Sequence, residues 1–113
     1  MYGFKILNPY NFSYQPKENN MAKAKARHIL VKTEEECLKL KNEIVGGRTF
    51  AEIARKFSLC PSGKNGGDLG EFFRGQMVKE FDQVVFTQEI GKVHGPVKTQ
   101  FGFHLLEITQ RID

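Results

Sequence analysis

Regular alternation of apolar and polar positions sets in near Lys25 and continues almost to the end of the chain. Over residues 26–32, Ile29 and Val31 oppose His28 and Leu30 at period two, which predicts a strand. Thr33 followed by Glu36 is a capping box. Behind it, Cys37, Leu40 and Ile44 form the stripe of a helix that Gly46-Gly47 is predicted to end with a left-handed cap. Thr49 and Glu52 repeat the box, and Phe50, Ile53, Ala54 and Phe57 give a second helix one clean apolar face. Residues 58–70, rich in Pro, Ser and Gly, read as loop and turn. Phe81, Val84 and Val85 mark a third short helix over about 79–86. Two strands over 93–98 and 103–110, joined through Thr99-Gln100-Phe101-Gly102, read as a hairpin. The order β-α-α-(β)-α-β-β implies a small α+β domain with a largely antiparallel sheet.

Residues 1–20 break the pattern, with four Asn, two Pro, three Tyr and no sustained period, and Met21-Ala22-Lys23 reads like a fresh start. The segment is expected to be a flexible extension outside the fold: a natural arm, a cloning remnant or an upstream reading of the true start. Residues 21–113 then form the domain. A chain of 113 residues has surface enough for one core only. At 40% hydrophobic and 27% charged it has the balance of an ordinary globular domain. No stretch approaches the roughly 20 apolar residues of a membrane span, and no apolar block follows Lys5 as in a signal peptide. Cys37 and Cys60 form neither a disulfide framework nor a zinc motif, so a reducing cytoplasm is the expected home. The formal charge of +4 raises the question of nucleic acid. The surplus lies in residues 21–57, where nine Lys/Arg are interleaved with Glu34, Glu35, Glu36, Glu43 and Glu52. Phosphate binders gather their charge on one face, so nucleic acid is not the expected partner.

The candidate chemistry centres on the run Gly66-Gly67-Asp68-Leu69-Gly70-Glu71-Phe72, followed by Arg74-Gly75-Gln76-Met77 and Phe81. It spaces Leu69, Met77 and Phe81 around a glycine turn, as an apolar hollow for a small ligand requires. His28 and His104 hold strand positions near opposite ends of the domain, and Cys60 lies in the loop before the turn. Each feature has a plainer reading. Buried apolar side chains are ordinary core, a lone strand histidine is usually a satisfied core residue, and Cys37 is core. A cysteine with histidines suggests a thiol nucleophile, yet no third group orients a base. His94, before Gly95-Pro96, reads as an exposed loop residue, and Lys64 and Arg74 as solvated charges at the rim.

Seven segments in order carry a resemblance across residues 21–113: His28-Ile29-Leu30-Val31-Lys32, Phe57-Ser58-Leu59-Cys60-Pro61-Ser62, Gly67-Asp68-Leu69-Gly70, Gly75-Gln76-Met77, the Phe81 helix, Gly95-Pro96-Val97-Lys98-Thr99 and Phe101-Gly102-Phe103-His104. The domain resembles the parvulin family of peptidyl-prolyl cis-trans isomerases, in particular a small stand-alone bacterial-type member. The resemblance implies a parvulin-like (FKBP-like) fold, a four-stranded antiparallel sheet surrounded by about four helices. It implies that His28 and His104 face each other with Thr99 beside the second. Cys60 matches a loop position that is aspartate in many relatives. The proline ring would be received by Leu69, Met77 and Phe81. Phe101 stands where some relatives carry serine, adding an apolar wall.

Relatives that read phosphoserine or phosphothreonine before proline carry a basic loop after the first strand. Here Lys32-Thr33-Glu34-Glu35-Glu36 runs straight into a helix, and three carboxylates repel a dianionic phosphate. The activity implied is therefore non-covalent isomerisation of X-Pro bonds in peptides and folding chains, without phosphate direction, metal or cofactor, by a monomer. The rival reading is a non-catalytic peptide-binding or chaperone module on the same scaffold, since a fold alone does not fix activity.

Overall fold

A computed structural model of the chain describes residues 22–112; the extension assigned to residues 1–20 lies outside the described residues. Along the chain run β1 (Lys23–Val31), α1 (Glu34–Val45), α2 (Phe50–Phe57), a 3-10 turn (Pro61–Asn65), β2 (Asp68–Phe73), α3 (Lys79–Val85), β3 (Val93–Thr99) and β4 (Gly102–Ile112). The strands form one antiparallel sheet in the order β2-β1-β4-β3. Three α-helices and the 3-10 turn accompany it, as the α+β expectation required.

Both threonine caps form. The Thr33 side chain accepts from Glu36 N–H at 3.1 Å, and that of Thr49 from Glu52 N–H at 3.3 Å. The stop of α1 differs in detail: Gly46 stays right-handed at φ −78°, and Gly47 makes the left-handed step at φ +120°. β1 begins three residues before the predicted strand, because Ala22, Ala24 and Ala26 point inward while their small side chains give little periodic signal. Residues 58–70 are not loop throughout. They contain the 3-10 turn and the first residues of β2, an edge strand whose Asp68 and Gly70 are poor strand formers. His94 lies within β3 rather than in a loop, its ring Nε2 2.7 Å from the Glu89 carbonyl oxygen.

Each sheet face has its own core. Ile29, Val31 and Leu105 pack against Cys37 and Leu40 of α1 and Phe50, Ile53 and Ala54 of α2. On the opposite face Ala24, Ala26, Leu106 and Ile108 pack with Leu69, Phe72, Met77, Phe81 and Val85. Arg111 in β4 donates to the carbonyls of Val85 at 2.9 Å and Gln88 at 2.7 Å, which fixes the end of α3 to the sheet. Among the described residues no helix is long and apolar enough to cross a membrane.

Candidate functional site

The pairing of β1 with β4 brings the two distant histidines together. His28 lies opposite Leu106 and Leu30 opposite His104, so the imidazoles are diagonal neighbours on one face. Their rings stack at 5.2 Å between centroids and 18° between planes, with the two Nδ1 atoms 3.1 Å apart. Thr99 Oγ1 lies 2.7 Å from His104 Nε2 and accepts from Phe101 N–H at 3.1 Å. The assignment that uses each of these donors once runs Phe101 N–H to Thr99, Thr99 O–H to His104 Nε2, and His104 Nδ1–H to His28 Nδ1. It leaves a proton on His28 Nε2, which has no hydrogen-bond partner among the described residues.

Both rings are fully buried. Burial, with the neighbouring His104 second, pushes the pKa of His28 down to about 3, and burial pushes that of His104 down to about 4. Both are therefore neutral at physiological pH. Gly67 closes on this strand: its carbonyl accepts from His28 N–H at 2.9 Å. A Cβ there would meet the His28 carbonyl oxygen at 2.4 Å, with φ at +88°, so only glycine fits.

Leu69, Met77 and Phe81 share the core of this face. Phe81 meets both imidazoles edge to face, at 5.7 Å and 82° to His28 and 5.8 Å and 80° to His104. The three side chains expected to receive a proline ring thus share one face with the histidine pair, joined to it through Phe81. The open hollow expected from the sequence is not what these side chains line, because Leu69 is 1% exposed and Met77 and Phe81 0%. They are enclosed by neighbours such as Phe72, which meets Phe81 at 6.4 Å. A separate cavity of about 350 Å³ opens on the α2 side of the sheet between Lys25, Arg27, Arg55 and Asp68, away from the histidines.

Cys60 heads the 3-10 turn and is 8% exposed. Ser58 moors this loop to β1: its Oγ accepts from Leu30 N–H at 3.1 Å and from Cys60 N–H at 3.3 Å. Leu59 N–H donates to the Leu30 carbonyl at 2.8 Å. Phe101 keeps 47% of its surface exposed although its backbone is tied to Thr99. Lys64 is exposed as expected, but Arg74 lays its guanidinium over the Phe86 ring at 5.4 Å rather than standing free at a rim. Sequence reasoning gave Phe72 no role of its own, though it packs in the same cluster as the trio, and passed over Asp82, buried next to Phe81 in α3. For Asp82 a signal existed, an acidic residue flanked by the apolar stripe of a short helix. Among the described residues no three His, Cys, Asp or Glu cluster to hold a metal ion.

The chain is 40% identical over 108 residues to the foldase protein PrsA of Geobacillus sp. (strain WCH70), covering 95% of this chain and 37% of that protein. It is 44% identical over 94 residues to the foldase protein PrsA 1 of Bacillus cereus, covering 82% and 33% respectively. The chain therefore spans about a third of the length of these curated relatives. Among solved structures, PrsA from Bacillus anthracis superposes with a TM-score of 0.79 at 35% identity, over 81% of this chain and 43% of that one. Pin from the psychrophilic archaeon Cenarcheaum symbiosum superposes at 0.69 and 37% identity, over 83% and 98%. The rotamase family model, a PPIC-type PPIase domain, matches residues 12–110. A match over nearly the whole chain, on the same four-stranded scaffold, means that this chain belongs to the PPIC-type peptidyl-prolyl cis-trans isomerase (parvulin) family.

Proposed function

We propose that the domain rotates X-Pro bonds in peptides and in unfolded or partly folded proteins by a non-covalent mechanism, as a cytoplasmic monomer without preference for a phosphorylated residue. The observation that carries this reading is the Phe81 ring set edge to face on two neutral, hydrogen-bonded imidazoles, with Met77 and Leu69 in the same cluster. Rotation about the prolyl amide must cross a barrier of about 20 kcal/mol. The twisted state has lost amide resonance and part of its dipole, so a dry apolar surround with fixed rings favours it over the planar amide. An acceleration of a thousand- to hundred-thousandfold asks for about 4–7 kcal/mol of such discrimination. Neutral imidazoles suit this work, for no proton moves. Three glutamates open α1 directly after β1, which supports the exclusion of a dianionic phosphate.

One observation favours the rival, a peptide-binding module without turnover: Leu69, Met77 and Phe81 are at most 1% exposed, and of the four expected pocket residues only Phe101 is open to solvent, so a peptide can meet Phe101 without a proline ring reaching the other three. Exchange spectroscopy on X-Pro peptides, one carrying phosphoserine before proline, decides. Faster cis/trans exchange on unphosphorylated peptides is expected, with no gain on the phosphopeptide. Binding without faster exchange would establish the rival instead. Cys60→Asp is expected to keep kcat/KM within about tenfold, a change of about 1.4 kcal/mol in the barrier. A thousandfold loss in the same assay would point to thiol chemistry.

A further inference from the structure

Asp82 is a buried carboxyl group to which isomerisation of the prolyl bond gives no task. It follows Phe81 in α3, is 0% exposed, and its Oδ1 accepts from Gly75 N–H at 2.9 Å. Aspartate is almost never fully buried unless a partner offsets the loss of water. Gly75 lies two residues before Met77 in the loop from β2 to α3, with φ at +86°. Other bonds in this loop hold it to its strand side. Gln76 N–H donates to the Phe73 carbonyl at 3.2 Å, Gln76 Oε1 accepts from Phe73 N–H at 2.6 Å, and Arg74 N–H donates to the Ala22 carbonyl at 3.1 Å. The Asp82 carboxylate holds the loop to the helix.

We propose that Asp82 is a positioning residue for the isomerase: by fixing the Gly75 turn against α3 it sets Met77 beside Phe81 at the spacing a proline ring needs. The inference rests on the proline-pocket reading of Met77 and Phe81. A carboxylate bonded to a backbone N–H is a strong, charge-assisted anchor. Asp82 does not touch substrate; it acts through Met77. Small misplacements of a binding group cost up to about a hundredfold in rate, so the anchor matters to turnover.

The test compares Asp82→Asn, which keeps an acceptor oxygen at similar reach, with Asp82→Leu, which keeps the number of side-chain heavy atoms and removes the acceptor. Turnover on an X-Pro peptide is read beside the methyl resonance of Met77, at a temperature where far-ultraviolet circular dichroism shows each variant folded. Asp82→Leu is expected to lose about tenfold or more in kcat/KM and to shift or broaden the methyl signal. Asp82→Asn is expected to stay within about threefold with the signal unmoved. Full turnover and an unmoved methyl in Asp82→Leu would overturn the proposal, as would an Asn variant as impaired as the Leu one. Should Asp82→Leu not fold, hydrogen exchange of Gly75 in the unaltered protein decides: protection equal to that of the β2 amides supports the anchor, and free exchange removes it. Met77→Ala is run in parallel. Unchanged turnover there would defeat the pocket reading itself, whereas loss there with a silent Asp82→Leu would defeat only the anchor.

Discussion

Phe81→Ala is expected to lower turnover by about a hundredfold or more and to cost about 3–5 kcal/mol of stability, because one ring serves both the site and the core. It is 0% exposed and meets His28, His104 and Phe72. Leu69, Met77 and Phe81 are all fully buried, so truncating any of them is expected to cost stability as well. The two effects must therefore be separated. Phe81→Leu keeps most of the apolar volume and is expected to cost about 1–1.5 kcal/mol, while it removes the edge-to-face contacts to the imidazoles. Leu40→Ala is the matching control. Leu40 is 2% exposed in the core on the opposite sheet face, so its loss should cost about 2–5 kcal/mol and leave the rate of the folded fraction unchanged. Urea unfolding and cis/trans exchange on the same samples give both quantities. Should Phe81→Leu turn over like the parent protein, the ring is core alone and the pocket assignment is lost.

What could be read in advance follows the strength of local signals. Thr33 with Glu36 and Thr49 with Glu52 mark helix starts because the cap is a contact between near neighbours, and both caps are present. The hairpin at Thr99-Gln100-Phe101-Gly102 is legible for the same reason. β2 is legible only as a bracketed strand, since Asp68 joins the sheet by pairing with Arg27, some forty residues away in the chain, and Gly70 stands at φ +72° where the register shifts. The diagonal placement of His28 and His104 is likewise a matter of register between β1 and β4. The seven-segment resemblance implied it; periodicity did not. Enclosure of Leu69, Met77 and Phe81 depends on packing around them, for which spacing along the chain carries no signal. Asp82 was missed because its partner is a backbone N–H seven residues away, and a sequence does not label backbone donors.

Acidification should destabilise this domain, and the histidine pair sets the window. In the unfolded chain both imidazoles take up protons near their ordinary value of 6.5, whereas in the folded chain His104 resists until about 4 and His28 until about 3. A base whose folded pKa is lowered favours folding above the unfolded pKa. Its contribution is lost as pH falls from 6.5 toward the folded value, since the unfolded state then binds more protons. Each histidine contributes a slope of about 1.4 kcal/mol per pH unit in that interval, enough together to remove several kcal/mol between pH 6.5 and about 4.5. That rivals the whole stability of a small domain. Urea midpoints at pH 4.5, 5.5, 6.5 and 7.5 are expected to be flat at the upper end and to fall steeply below 6.5, with uptake of about two protons on unfolding at pH 5.5. His28→Asn should reduce that uptake by about one proton. Turnover should behave differently. With both rings neutral throughout, kcat/KM is expected to stay level from pH 6.5 to 8.5, while an inflection near 6.5 would place a titrating imidazole in the chemical step. Stability that stays level down to pH 5 would mean that the rings reach water or an unseen acceptor, and the dry, neutral pair on which the mechanism stands would have to be given up.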